Sequence, residues 1–274
     1  MNKKLCFIIS SALTLCACGE SKEQITMDKQ KGAETCFNSD LYDEGNQQVT
    51  AVLFHDSIKQ VDISTSQGVN DDNIAILKTE SYRLNDNHKL YEPYSKRTIT
   101  RKIDKSNKQY IDLSMQIESN NGVHTEVALT PQYKTNFNIK EGADSAFITY
   151  TETAKNEGDK QENESQFRSK KDFLGMKEIT TPLGTFATCH LRYTNMPTST
   201  KKNESSYRTV IDYYYTKETG LAVKIHTKSY FGPSLSDEMS SDTFLLKANL
   251  RDQQYIASSA WLKAHKLEDM VTAD

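Results

Sequence analysis

The chain has 274 residues, enough for one large domain or two small ones at about 150 residues per domain. Apolar residues make up 36% and charged residues 26%, too polar a composition for a chain that crosses a membrane repeatedly as helices. With 34 basic and 37 acidic residues the net charge is −3, which excludes the basic face that general nucleic-acid binding requires.

Asn2, Lys3 and Lys4 form a short basic head, and the run from Leu5 to Leu15 is mostly apolar. As a helix this run is too short to span ~30 Å of hydrocarbon, and its layout is that of a secretory signal. Leu15-Cys16-Ala17-Cys18 resembles the lipobox of bacterial lipoproteins. The resemblance implies cleavage before Cys18, a diacylglyceryl group on its thiol and an acyl group on its new amine. Several acyl chains make a durable anchor, at ~0.8 kcal/mol per buried CH₂. Cys16 fits the pattern less well, because bulky Leu15 would precede the cut. An ordinary signal peptide cut near Ala17 is the competing reading. Gly19 follows the lipidated position where inner-membrane lipoproteins carry Asp, which implies the outer membrane, with the domain facing the periplasm.

Removal of residues 1–17 leaves 32 basic and 37 acidic residues. Residues 18–47 are expected to hold the lipidated Cys18 and a flexible tether, since Gly19 to Thr35 is polar and without period. Two other cysteines remain, Cys36 and Cys189, and thiols in an oxidising compartment tend to pair. The expectation is a Cys36–Cys189 disulfide. The alternative is two free thiols, with Cys189 buried as a small hydrophobe.

Residues 48–250 read as an antiparallel β domain. Strand-like runs lie near 49–54, 74–84, 97–103, 123–129, 145–153 and 242–248. Ile111, Leu113, Met115 and Ile117 alternate with Tyr110, Asp112, Ser114 and Gln116, predicting one dry and one wet face. Ala187, Cys189, Leu191 and Tyr193 alternate in the same way, as do Ile211, Tyr213 and Tyr215, and Leu221, Val223 and Ile225. Ser66 to Asn73 and Phe231 to Ser234 read as turns, and Asn121-Gly122 as a tight hairpin. Lys155 to Gln166 and Thr194 to Ser206 read as long solvated loops. In the tail, residues 251–274, Ile256, Ala260, Ala264, Leu267 and Val271 fall at helical spacing, widened by Ala257 and Trp261. This predicts an amphipathic helix covering one face of the sheet.

Motifs that carry chemistry are missing. The sequence has no dinucleotide-binding glycine fingerprint, P-loop, HExxH or nucleophile elbow. His55, His88, His124, His190, His226 and His265 lack metal-ligand spacing, and His190 and His226 read as surface residues. Asp71-Asp72-Asn73 and Asn85-Asp86-Asn87 lack the oxygen ladder of a calcium loop and read as turns. The expectation is a protein without catalytic residues, metal or cofactor. Tyr213-Tyr214-Tyr215 is either an aromatic rim for a hydrophobic ligand or core material of one strand.

Thr181-Pro182-Leu183-Gly184-Thr185-Phe186, with Cys189 beyond it, resembles the P-x-G-T-F strand start of uncharacterised bacterial periplasmic proteins. Their later G-L-V-K segment is matched by Gly220-Leu221-Ala222-Val223-Lys224 with Ala222 inserted. The resemblance implies a curved antiparallel sheet, a half-barrel or barrel-like body similar to lipoprotein carriers. Their interleaved helices have no counterpart in this sequence. Two functions follow as expectations. One is a non-enzymatic outer-membrane lipoprotein that grips an envelope protein. The other is a lipid-anchored module holding a hydrophobic ligand on a concave β surface.

Overall fold

Short polar turns between half-buried strands make each strand pair with its neighbour in sequence. In the computed structural model, which describes residues 32–84, 93–143, 145–158, 162–198, 207–231, 237–251, 253–268 and 271, this meander closes on itself. The strands are β1 (Gln47–Phe54), β2 (Ser57–Val69), β3 (Ile74–Arg83), β4 (Ser95–Asp104), β5 (Gln109–Ser119), β6 (His124–Thr130), β7 (Tyr133–Asn136), β8 (Ile148–Asn156), β9 (Asn163–Thr181), β10 (Gly184–Pro197), β11 (Tyr207–Thr216), β12 (Ala222–Phe231), β13 (Asp237–Leu250) and β14 (Gln253–Ile256). Twelve form an antiparallel barrel, with β13 pairing back onto β1. The short β7 pairs with the start of β5, and β14 extends β13 as a hairpin. Closure leaves the ring without a free edge.

Up-and-down order puts connections at alternate ends. The near end carries the turns after β2, β4, β9 and β11 and the long connection from β6 to β8. The far end carries those after β1, β3, β5, β8, β10 and β12. Residues 32–46 close the near end. Two 3-10 turns, Ala33–Cys36 and Ser39–Tyr42, place Ala33, Cys36, Leu41 and Tyr42 in the interior core with Ile103, Tyr110, Phe137, Phe173, Leu191, Tyr193 and Leu245. A second apolar cluster lies on the outer wall. There Val49, Ala51, Val61 and Leu246 are covered by Ala257, Leu262, Leu267 and Val271. Adjacent Leu245 and Leu246 thus feed opposite faces of β13.

Several expectations are corrected. Residues 32–46, read as the last part of the tether, are packed into the core, and residues 18–31 lie outside the described residues. The tail is not one long helix: β14 takes residues 253–256, and α1 spans only Ser259–Ala264 behind the N-cap of Ser258. Ile256, Ala260 and Ala264 are exposed, while Ala257, Leu262, Leu267 and Val271 face the barrel. Of the two runs read as solvated loops, residues 155–156 end β8, residues 163–166 begin β9 and residues 194–197 end β10, while residues 159–161 and 199–206 lie outside the described residues. At Asn163 to Gln166 both faces are polar and exposed, so the alternation that marks a strand fades. On β5 the buried residue is Tyr110 rather than Ile111, because a bulge opposite Thr100 and Arg101 shifts the phase. The Asn121-Gly122 hairpin forms as expected, with Gly122 at positive φ.

Candidate functional site

The near end is fastened by a disulfide. Cys36 in the first 3-10 turn and Cys189 on β10 are joined, with Cα atoms 6.2 Å apart. Phe37 beside it stacks on Tyr110 at 5.0 Å and meets Phe137 edge-on at 5.9 Å. The β11–β12 turn clasps the same segment, with Glu218 N donating to Thr35 O and Asn38 Nδ2 to Thr219 O. Gly220, at φ +67°, lies so close that a Cβ would stand 2.9 Å from Cys36 O. Inside, Arg101 Nη1 donates to the Tyr42 hydroxyl at 2.6 Å, and its Nε donates to Asp112 at 2.5 Å. Burial disfavours the Arg101 charge, but Tyr42 and Asp112 more than restore it.

The outer wall of β9 to β13 carries a row of charge. Asp172, Arg192, Asp212, His226 and Asp242 are successive cross-strand partners. Asp212 is contacted by His190 at 2.7 Å and Arg192 at 2.8 Å. Burial raises the Asp212 pKa, but the bonds from His190 and Arg192 outweigh it and hold the carboxyl below the usual range. Asp242 is contacted by His226 at 2.9 Å and Lys224 at 3.2 Å. A membrane-spanning barrel needs an apolar outer band ~25 Å tall. A charged row across five neighbouring strands is the opposite pattern, so this wall is built for water.

The near end also holds a cleft of about 640 Å³, between the β6–β8 connection and β9. Its wall includes Ile139, Ala146, Ile148 and Tyr150, and its cations are Lys134, Lys140 and Lys171. None of its described lining residues is a carboxylate. Lys171 Nζ donates to the Lys134 carbonyl and lies 3.4 Å from the Tyr133 ring centroid and 5.0 Å from that of Tyr193. Burial lowers its pKa to about 7, against the opposing pull of Asp112. Burial also pushes Tyr133 and Tyr193 well above the ordinary phenol range. Ser169, two residues earlier on the same face of β9, is 2% exposed. Its Oγ lies near the Tyr133 hydroxyl without a well-formed hydrogen bond.

The lipobox and Cys18 lie outside the described residues, as do His88 and Asn85 to Asn87. Tyr213 and Tyr215 stack at 5.7 Å against the interior core, and Tyr214 stacks on His190 outside. The run is therefore core and wall rather than a rim. His190 and His226 are on the outer wall, held in the ionic row. Pro182 and Leu183 form the β9–β10 turn, where Pro182 O accepts from Ser258 N and so secures the C-terminal segment. Lys171 was not among the candidates from sequence. Its signal was its phase: it alternates with Lys170 and Asp172 and shares a face with buried Phe173.

No family model and no curated protein matches the chain. Among solved structures, the chain is similar to an inferred lipoprotein from Parabacteroides distasonis, at 16% identity and a TM-score of 0.47, covering 76% of this chain and 96% of that one. It is also similar to an inferred exported protein with a YmcC-like fold from Bacteroides fragilis, at 13% identity and a TM-score of 0.45, covering 75% and 96%. The hypothetical lipoprotein YmcC from Escherichia coli follows at 9% identity and a TM-score of 0.36, covering 76% and 84%.

Proposed function

We propose that the chain is a non-enzymatic lipoprotein, anchored through Cys18 in the outer membrane and facing the periplasm, whose barrel presents its far end to another envelope protein. One observation carries this reading: the N-terminal segment is locked into the near end by Cys36–Cys189. Between Cys18 and Gly32 the chain reaches roughly 50 Å at most. Because the segment enters the barrel at the near end, an anchor at Cys18 favours that end toward the lipid and leaves the far end to a partner. The far end carries a polar groove of about 540 Å³ lined by Lys96, Glu118, His124, Glu126, Lys155 and Glu157 among others. Mixed charge around a concavity suits a specific, reversible protein contact, because opposed charges select the partner and steer its approach. The barrel interior gives the concave-surface alternative less support, since its near half, apart from the cleft beside β9, is filled by Tyr42, Tyr110, Phe137 and Tyr193.

Site-specific photo-crosslinking in cells tests the reading, with the probe at Lys155 on the far end or at Asn107 in the β4–β5 turn. A discrete protein adduct from position 155 and none from 107 is expected. Adducts from 107 alone, or none from any residue of the groove, would refute it.

A further inference from the structure

We propose that the cleft between the β6–β8 connection and β9 binds an amphiphile with one anionic head and one apolar chain. The head sits at Lys171 Nζ, and the chain lies along Ile139, Ala146 and Ile148. The occupant is a single-chain acyl carboxylate.

Charge is the first argument. Three lysines line the cleft and no described lining residue is acidic. Lys171 forms no ion pair among the described residues; its contacts are a backbone carbonyl and two tyrosine rings. A half-buried cation whose facing carboxylate is already bonded elsewhere is poorly compensated, and an anion bringing its own charge into the cleft relieves that. The charged and titratable groups around Lys171 are already placed elsewhere. Asp112, facing it from β5, is bonded to Arg101, and Asp172 on the outer face of β9 is taken by Lys170 and Ser145. Tyr133 from β7 and Tyr193 from β10 are held neutral by burial.

Shape is the second argument. Ile148 is 49% exposed, an apolar side chain at the mouth of a charged floor. Binding cavities for small ligands run ~300–1,000 Å³, and 640 Å³ suits one short chain better than a two-chain phospholipid. Buried Ser169 Oγ adds a hydroxyl with spare hydrogen-bonding capacity on the lysine's side of β9.

Location is the third argument, and it alone rests on the anchored orientation. Ala33 N donates to Ile139 O, so the N-terminal segment enters the barrel beside the cleft wall. An anchored protein would keep this cleft next to the bilayer, a source of acyl amphiphiles.

The test titrates the chain from residue 19, which retains every described residue, with monomeric dodecanoate followed by calorimetry. Acetate, dodecyltrimethylammonium and phosphatidylglycerol vesicles serve as comparisons. Saturable 1:1 binding of dodecanoate is expected, with at least tenfold weaker binding of acetate and of the cationic amphiphile. Lys171→Met should weaken dodecanoate at least tenfold, and Lys171→Arg less. Ile148→Asp, at an exposed position that leaves the core intact, should also weaken it. Affinity should fall as pH rises from 6 to 9, because the lysine loses its charge in that range. Equal binding of both amphiphiles, indifference to Lys171→Met and Ile148→Asp, or binding to vesicles alone would overturn the proposal. These measurements need no anchor and no partner, so the site can fail while the anchored orientation stands, and the reverse.

Discussion

Cys36 is bonded to Cys189 across 153 positions of sequence, and the bond joins the first described turn to the middle of the barrel wall. The same short segment buries Phe37 against Tyr110 and receives the clasp of the β11–β12 turn. The near end of the barrel is therefore closed by the N-terminal segment, and the two ends of the barrel are unlike.

Cutting this bond should loosen the near end. A loop of this length gives roughly 5 kcal/mol in the chain-entropy treatment, an upper figure because residual structure in the unfolded chain reduces it. Cys36→Ser should lower the urea midpoint, and reductant should lower that of the wild type to a similar level. Equal midpoints for oxidised, reduced and substituted protein would show that packing alone holds the segment.

Gly220 should tolerate no side chain. A Cβ there meets Cys36 O at 2.9 Å, and φ is +67°. Left-handed backbone alone costs a non-glycine residue roughly 1–2 kcal/mol, and the close approach adds to it. Gly220→Ala should therefore cost clearly more than Gly45→Ala, where φ is +79° but nothing lies within 4 Å. Denaturant melts of the two variants supply the comparison, and equal losses would remove the clasp from the account.

Asp212 should stabilise the wall in a pH-dependent way. Its folded pKa is depressed by His190 and Arg192, so its contribution is complete above the unfolded aspartate pKa of ~3.9 and fades as pH falls below it. Asp212→Asn should be less stable than wild type at pH 6, and the gap should narrow below about pH 4. A gap that does not change with pH would assign the loss to packing.

Lys171 gives the opposite limb. Its pKa falls from 10.5 unfolded to about 7 folded, so the unfolded chain binds more protons between those values and stability rises with pH across them. Lys171→Met removes that slope. The stability of wild type relative to the variant should therefore increase from pH 7 to pH 9, and a constant difference would place the lysine's charge in solvent.

The C-terminal cover should be needed. Leu262, Leu267 and Val271 are almost wholly buried on the outer wall, and each large apolar side chain contributes roughly 1.5–3 kcal/mol on burial. A chain ending at Ser258 should lose several kcal/mol by calorimetry and bind a hydrophobic dye. An unchanged melt would rule out the covering role.

The parts of the fold legible in the sequence were those with a wet outside and a dry inside. Leu191, Tyr193, Tyr213 and Tyr215 alternate cleanly and fill the interior. Where both faces are polar, as at Asn163 to Gln166, no period marks the strand, and the start of the longest strand of the barrel read as loop. On β2 the polar face is the inner one: Asp62 and Ser64 face the same way as Thr50 and Gln48 on β1 and Ser81 and Thr79 on β3, while Val61 and Ile63 on the opposite face join the outer apolar cluster. The tail misled because helical spacing fits Ile256 and Ala260, yet pairing with β13 sets the backbone of Ile256. The cleft was invisible because its lining comes from β5, β7, β8, β9 and the connection between β6 and β8, which only barrel closure brings together.

The central claim is the polarity of the barrel relative to the membrane. The acylated protein in vesicles, carrying one fluorophore at Asn107 on the near end or Asn121 on the far end, reports it through energy transfer to an acceptor in the lipid headgroups. Transfer should be strong from position 107 and weak from 121. Equal transfer from both positions, or stronger transfer from 121, would contradict the account.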